Sequence, residues 1–374
     1  MQNLSKNIWF SLLNIVFTTI VTLVAIRILL TTLGNVKFGV FSIITILNSL
    51  SSLFSFGLNY TLLHYIPKQG KGEESSMDII VVLFISFFIS LLLGGTVYFA
   101  APAIAGLIST PEELMGETVQ FIRYISFTIL FLLPIQILIA VFDAIQKNYI
   151  SNILQVVFSF LYWSVLAAST LYSGNLADAG LSLSLLYPAW FFVLVICFKK
   201  IWGPVVIPKI KDQYQRIFRK HITSGSKYFA TNIVGYLNEP ISKLLISHFI
   251  GLESVAFFDI AMRVKNQVWG LFNKLTYPFL PYFSSQKDKL EVKKQIISLT
   301  AVILVFASII SLYFLWAGNY IVLLWLKSDS LVLVRFVIIS VVSYLMFSAI
   351  VFPVYYYFSF TFLIHSHAIE FLPL

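Results

Sequence analysis

The chain has a single cysteine, Cys197, so no disulfide and no cysteine-type zinc site can form within it. Charge is scarce: 11% of the 374 residues are charged, against about 25% in soluble domains that must cover a globular surface. No outer loop is long enough for a folded extracytoplasmic domain, there is no spaced His/Cys/Asp cluster, and no glycine-rich nucleotide loop leads into a helix. These absences exclude a soluble enzyme on one anchor. They also count against a membrane polysaccharide polymerase or ligase, which needs acceptor-binding residues outside the hydrocarbon.

What the sequence does contain is apolar. Hydrophobic residues make up 59% and aromatics 17%, and mean hydropathy is +0.90. Runs long enough to cross a bilayer, roughly 20 residues each, fall near 8–30, 39–63, 78–101, 120–145, 150–172, 180–198, 228–250, 254–282, 296–317 and 329–357. Each exceeds the ten or so alternating residues of a membrane strand. The expected fold is therefore an all-α integral membrane protein with about ten transmembrane helices. Lys6 precedes the first run, but no small-residue cleavage site follows, so this run is read as a span rather than a leader.

The net charge of +9 is explained by orientation before nucleic acid, because basic residues are retained on the cytoplasmic side. With the N-terminus inside, inner segments hold Lys6, Lys68, Lys71, Lys147, Lys199, Lys200, Lys209, Lys211, Arg216, Arg219, Lys220, Lys227, Lys287, Lys289, Lys293 and Lys294. Outer loops hold Lys37 and Lys327, and collect Glu112, Glu113, Glu117, Asp178 and Glu253 instead. An even span number then places both termini in the cytoplasm.

The basic connection at 199–227, with Pro204 and Pro208, is a cytoplasmic linker between a lobe at 1–198 with six spans and a lobe at 228–357 with four. A fixed offset of 217 residues places Gly34 on Gly251, Phe41 on Phe258, Ile43 on Ile260, Leu58 on Leu275, Tyr60 on Tyr277, Leu63 on Leu280 and Tyr65 on Tyr282. Both copies begin inside, so the expected architecture is a two-lobe helical bundle of parallel repeats. A copied second lobe would have six spans. The irregular tail at 358–374 supplies none, which leaves a natural ten-span chain or a truncated or shifted reading frame.

Charges at mid-bilayer cost at least ~2.5 kcal/mol on insertion scales and need a reason. The spans hold seven cations, Arg27, Arg123, Lys243, Arg263, Lys265, Lys274 and Arg335, and three anions, Asp143, Glu239 and Asp259. Arg27, Arg123, Arg335 and Asp143 lie near helix ends, where long side chains can snorkel to the headgroups. Asp259, Arg263, Asn266, Gly270, Asn273 and Tyr277 share one helix face, and Lys274 has no acidic residue one turn away. Thr45, Asn48, Ser52, Ser55 and Asn59 repeat that spacing in the second span. Two readings stand for these stripes: walls of one aqueous cavity, or interhelical hydrogen bonding in a packed bundle. Glu239, beside Pro240, is either an ion-coupling carboxylate next to a loosened turn or the i,i+4 partner of Lys243. Asp259 and Arg263 form a further i,i+4 pair.

Arg27-Ile-Leu-Leu-Thr-Thr-Leu-Gly-Asn-Val-Lys-Phe-Gly-Val-Phe-Ser42 and Phe56-Gly-Leu-Asn-Tyr60 resemble the opening spans of bacterial polysaccharide-unit (O-antigen type) flippases. So do Lys243-Leu-Leu-Ile-Ser-His-Phe-Ile-Gly251, Phe258-Asp-Ile-Ala-Met-Arg263 and Tyr277-Pro-Phe-Leu-Pro281. That family belongs to the multidrug, oligosaccharidyl-lipid and polysaccharide exporter superfamily. The resemblance implies two six-helix lobes around a central cavity, of which this chain lacks the last two helices. It further implies alternating-access movement of an undecaprenyl-diphosphate-linked oligosaccharide across the bacterial cytoplasmic membrane. Membrane lipids and polysaccharide polymerase machinery are the other expected partners. No cofactor is expected beyond possible Na⁺ or H⁺ coupling, and no catalytic residue. An excess of intramembrane cations suits an anionic diphosphate, whereas an exporter of cationic drugs, the alternative within the superfamily, would be expected to show the opposite sign.

Overall fold

The structure is a computed structural model that describes residues 2–145, 147–203, 211–276 and 289–326, with 335, 337–339, 341–343, 345 and 346. The chain divides into two compact units, Met1–Ala256 and Phe257–Leu374. Among the described residues there is no strand. The helices are α1 (Gln2–Phe54), α2 (Leu58–Gln69), α3 (Glu73–Leu107), α4 (Glu112–Ala144), α5 (Asn148–Ser173), α6 (Leu176–Trp202), α7 (Lys211–Phe249), α8 (Leu252–Thr276) and α9 (Lys289–Leu326). Among the described residues, six helical segments are long and apolar enough to cross a membrane: Val16–Ile46, Glu73–Leu107, Glu112–Ala144, Tyr149–Ser173, Leu176–Trp202 and Thr300–Leu326. The chain is an all-α, multi-pass membrane protein.

Unit one is organised around α4, which packs against α3 and α6 and also meets α1, α2 and α5. Its side chains are accordingly enclosed on several faces, with Phe121, Ile125, Leu133, Val141 and Phe142 fully buried. Small residues set the approach of α3: a Cβ on Gly94 would lie 2.8 Å from the Ser126 carbonyl oxygen, so the two backbones touch. The tight α5–α6 turn follows from Ser173-Gly174-Asn175. Gly174 takes φ +63, and the Asn175 side chain accepts a 2.7 Å hydrogen bond from the Ala177 amide to cap α6. In unit two, Ala307, Val322 and Leu326 of α9 are buried, as are Val337, Val341 and Leu345.

The expected spans at 228–250 and 254–282, on α7 and α8, are not among these six segments, and the structure departs from the expected spans in two further places. The apolar run at 39–63 is not one helix, because Phe56 (φ +48) and Gly57 (φ +66) are both left-handed and break it into the end of α1 and the start of α2. The basic connection is helical from Lys211, so α7 continues without a break from its charged start into its apolar part. The expected span at 329–357 falls mostly outside the described residues, and the tail at 358–374 entirely so.

The offset repeat has a backbone counterpart. Gly34 interrupts α1 at φ +72, and Gly251, its expected equivalent, separates α7 from α8 at φ +117. Each glycine thus ends one helix and starts the next at the corresponding position, as parallel repeats require.

Candidate functional site

Contacts between helix ends sort unit one into a basic end and an acidic end. At the acidic end, Lys37, the one cation of the first expected outer loop, is neutralised by Glu117: Nζ lies 3.0 Å from Oε2 and also donates to the Gly174 carbonyl at 3.1 Å. Glu117 Oε1 in turn accepts from the Leu176 amide at the start of α6. Asn35 donates to Glu253 at 2.9 Å, and the Ser247 hydroxyl caps α3 by donating to the Ile108 carbonyl at 2.6 Å. At the basic end, Lys71 donates to the Ile201 carbonyl at 2.8 Å, supplying a partner for the last turn of α6. The Trp202 indole donates to Ser76 at 3.2 Å.

Arg27 is half-buried on α1. Arg123 is exposed on α4, with its guanidinium 5.4 Å from the Tyr98 ring. Asn59 sits in the first turn of α2, and its buried Oδ1 has no hydrogen-bond partner among the described residues. Asn48 and Ser52 lie on the helical backbone of α1, and their side chains fall outside the described residues, as do those of Asn273 and Lys274 on α8. The Thr45-to-Asn59 stripe is not a single helical face, because the left-handed turn at Phe56-Gly57 comes between its members. In unit two, Arg263 Nε donates to the buried Asp259 Oδ2 at 2.6 Å, and Asn266, further along α8, is exposed.

On α7, Glu239 and Lys243 form the i,i+4 ion pair at 2.9 Å, with the Lys243 side chain 3% and the Glu239 side chain 34% exposed. Pro240 lies between them inside the helix. The pair is asymmetric: the ammonium is enclosed, while part of the carboxylate remains open to a second partner.

A second ionic cluster escaped the sequence reading. Asp78, fully buried near the start of α3, accepts from Lys220 Nζ at 2.7 and 2.9 Å. His221 Nε2 lies 3.2 Å from Oδ1 of the same carboxylate. His221 Nδ1 is 2.6 Å from the Thr61 hydroxyl on α2. Lys220 also stands 4.2 Å over the Tyr65 ring, and Tyr65 Oη shares a 2.9 Å hydrogen bond with Ser224. Three helices are therefore joined through one carboxylate. The sequence places Lys220 among the cytoplasmic loop charges, and Asp78, the first residue of the expected span at 78–101, is given no role there. The available signal was a carboxylate directly before an apolar run on the side where basic residues accumulate.

Helices of spanning length, ion pairs that join their ends and a repeated glycine break define a polytopic helical-bundle protein of the membrane. Its sequence matches the family described as Polysaccharide biosynthesis protein over residues 4–287, and the chain belongs to that family. A comparison with curated proteins gave no match. Among solved structures, an inward-facing multidrug resistance MATE family transporter of the MOP superfamily superposes with TM-score 0.60 at 14% identity, covering 89% of this chain and 80% of that one. A eukaryotic MATE transporter gives 0.58 at 11% identity, over 96% and 80%. A MOP superfamily transporter from Pyrococcus furiosus, described as having a binding pocket of reverse polarity, gives 0.54 at 9% identity, over 96% and 95%. The fold is that of MOP superfamily transporters.

Proposed function

We propose that the protein moves a lipid-linked oligosaccharide, carried on a diphosphate, from the cytoplasmic to the outer leaflet of a bacterial inner membrane. The observation that carries this reading is the polysaccharide-biosynthesis family match over three quarters of the chain, on a fold shared with transporters. Movement by alternating access is the mechanism this reading carries, because a site that opens to one side at a time spares the head group exposure to hydrocarbon. Arg27, Arg123 and Lys274 are the candidates to meet the diphosphate, with Asn48, Ser52, Asn59, Asn266 and Asn273 as donors and acceptors for the sugars. Asp259 and Arg263 would contribute as a neutral pair. Glu239 is the candidate coupling group for Na⁺ or H⁺, because its carboxylate keeps an open side. Polymerase machinery would consume the product at the outer leaflet.

The MATE neighbours favour one other reading, a cation-coupled multidrug exporter. Reconstitution separates the two. Proteoliposomes carrying a fluorescent lipid-diphosphate oligosaccharide on one leaflet should show its transfer to the other, read by accessibility to a sugar-cleaving enzyme. Absence of transfer, together with gradient-driven export of a cationic dye, would establish the exporter instead.

A further inference from the structure

We propose that the groove beside the first four turns of α7 is a docking site for a phosphate or diphosphate ester head group. The groove holds about 620 Å³ and lies at the basic end of unit one, within the size range of small-ligand sites. It is lined by Arg216, Arg219 and Lys220 together with the hydroxyls of Thr223, Ser224 and Tyr65.

Positions 216, 219, 220 and 223 follow i, i+3, i+4 and i+7, so three cations and a hydroxyl lie along about 10 Å of one helix face. Retention of basic residues on one side of the membrane requires positive charge, but it requires neither a concavity nor hydroxyl donors in the same depression. Guanidinium forks combined with neutral O–H donors are the donor set that surrounds phosphate oxygens. Basic pockets at the ends of membrane helices are known to take phospholipid head groups.

Lys220 is held by two hydrogen bonds to Asp78 and by the Tyr65 ring, so its ammonium is fixed at the groove wall before any ligand arrives. Asp78 is fully buried behind it and faces Lys220 and His221. Lys220 and Asp78 largely neutralise each other, so the net charge that attracts an anion comes from Arg216 and Arg219, with Lys220 held beside them. Arg216 and Arg219 are exposed and make no ion pair with a described residue, so both can serve an incoming anion.

The proposal is independent of what the protein transports, and its test measures binding alone. Full-length protein in phosphatidylcholine nanodiscs is titrated with inorganic pyrophosphate by calorimetry. Saturable binding is expected, at least tenfold weaker in the Arg216→Gln/Arg219→Gln variant. The Lys199→Gln/Lys200→Gln variant removes two exposed cations from the last turn of α6 at the same end and should change binding by less than twofold. Repeating the titration in phosphatidylglycerol nanodiscs identifies the source of the ligand. A tenfold loss there means that membrane head groups already occupy the groove, and unchanged binding means that it selects a diphosphate presented separately. Failure to saturate in phosphatidylcholine, or equal losses in the two variants, would overturn the proposal.

Discussion

Lys243 is enclosed and Glu239 is partly open, and this asymmetry makes the pair testable at the scale of single residues. In Glu239→Gln the ammonium loses its i,i+4 carboxylate. Breaking a fully buried pair costs about 3–5 kcal/mol, and the exposure of Glu239 puts this case at or below the lower end of that range. The level of folded protein in the membrane should fall, and adding Lys243→Gln should restore it. If Glu239 also carries the coupling ion, the double variant is expected to be folded and inactive in the proteoliposome assay; recovered transport would reduce Glu239 to a neutralising role. This pair and Asp259–Arg263 were legible in the sequence because i,i+4 geometry is local and any helix enforces it. The Asp78 cluster was not, since its partners lie 142 residues away and meet only through the packing of α2, α3 and α7.

At the scale of elements, the apolar runs located the described helices well, because hydrocarbon thickness imposes a minimum length on each. The break at Phe56 was hidden. A phenylalanine rarely adopts the left-handed region, and tertiary packing holds it there: its ring lies 5.0 Å from Phe229, and Gly225 on α7 presses on the same turn. A Cβ on Gly225 would fall 2.2 Å from the Phe56 carbonyl oxygen, a backbone atom that cannot rotate away. Gly225→Ala is therefore expected to destabilise unit one by about 2–3 kcal/mol, read as a lower midpoint of thermal unfolding in detergent. Gly116 on α4 faces open space, so Gly116→Ala should leave the midpoint unchanged or raise it slightly, by up to about 1 kcal/mol from helix propensity. A similar response in both variants would show that the contact between α7 and the turn carries no strain. The candidate cavity was the least legible part, because a polar stripe has the same sequence signature whether it faces water or another helix.

For the molecule as a whole, the loop charges make a prediction about sidedness. Because Cys197 is the sole thiol, a Cys197→Ser background allows single cysteines to report from chosen positions. In intact cells Glu113→Cys should react with a membrane-impermeant maleimide and Arg219→Cys only after permeabilisation. Labelling of both from one side would undo the alternation of helices through unit one. The same alternation has a consequence for how the chain is made. Asp78 is translated 142 residues before Lys220, which at about 5–20 residues per second is roughly 7–30 s of synthesis. Throughout that interval α3 stands at the membrane with an aspartate whose protein counter-ions do not yet exist. The nascent lobe must keep this carboxylate at the water boundary, and the arrival of α7 draws it into the interior. Ribosome pausing between α6 and α7 would lengthen the interval, and a quality-control protease that recognises uncompensated charge in membrane helices would have its longest access there.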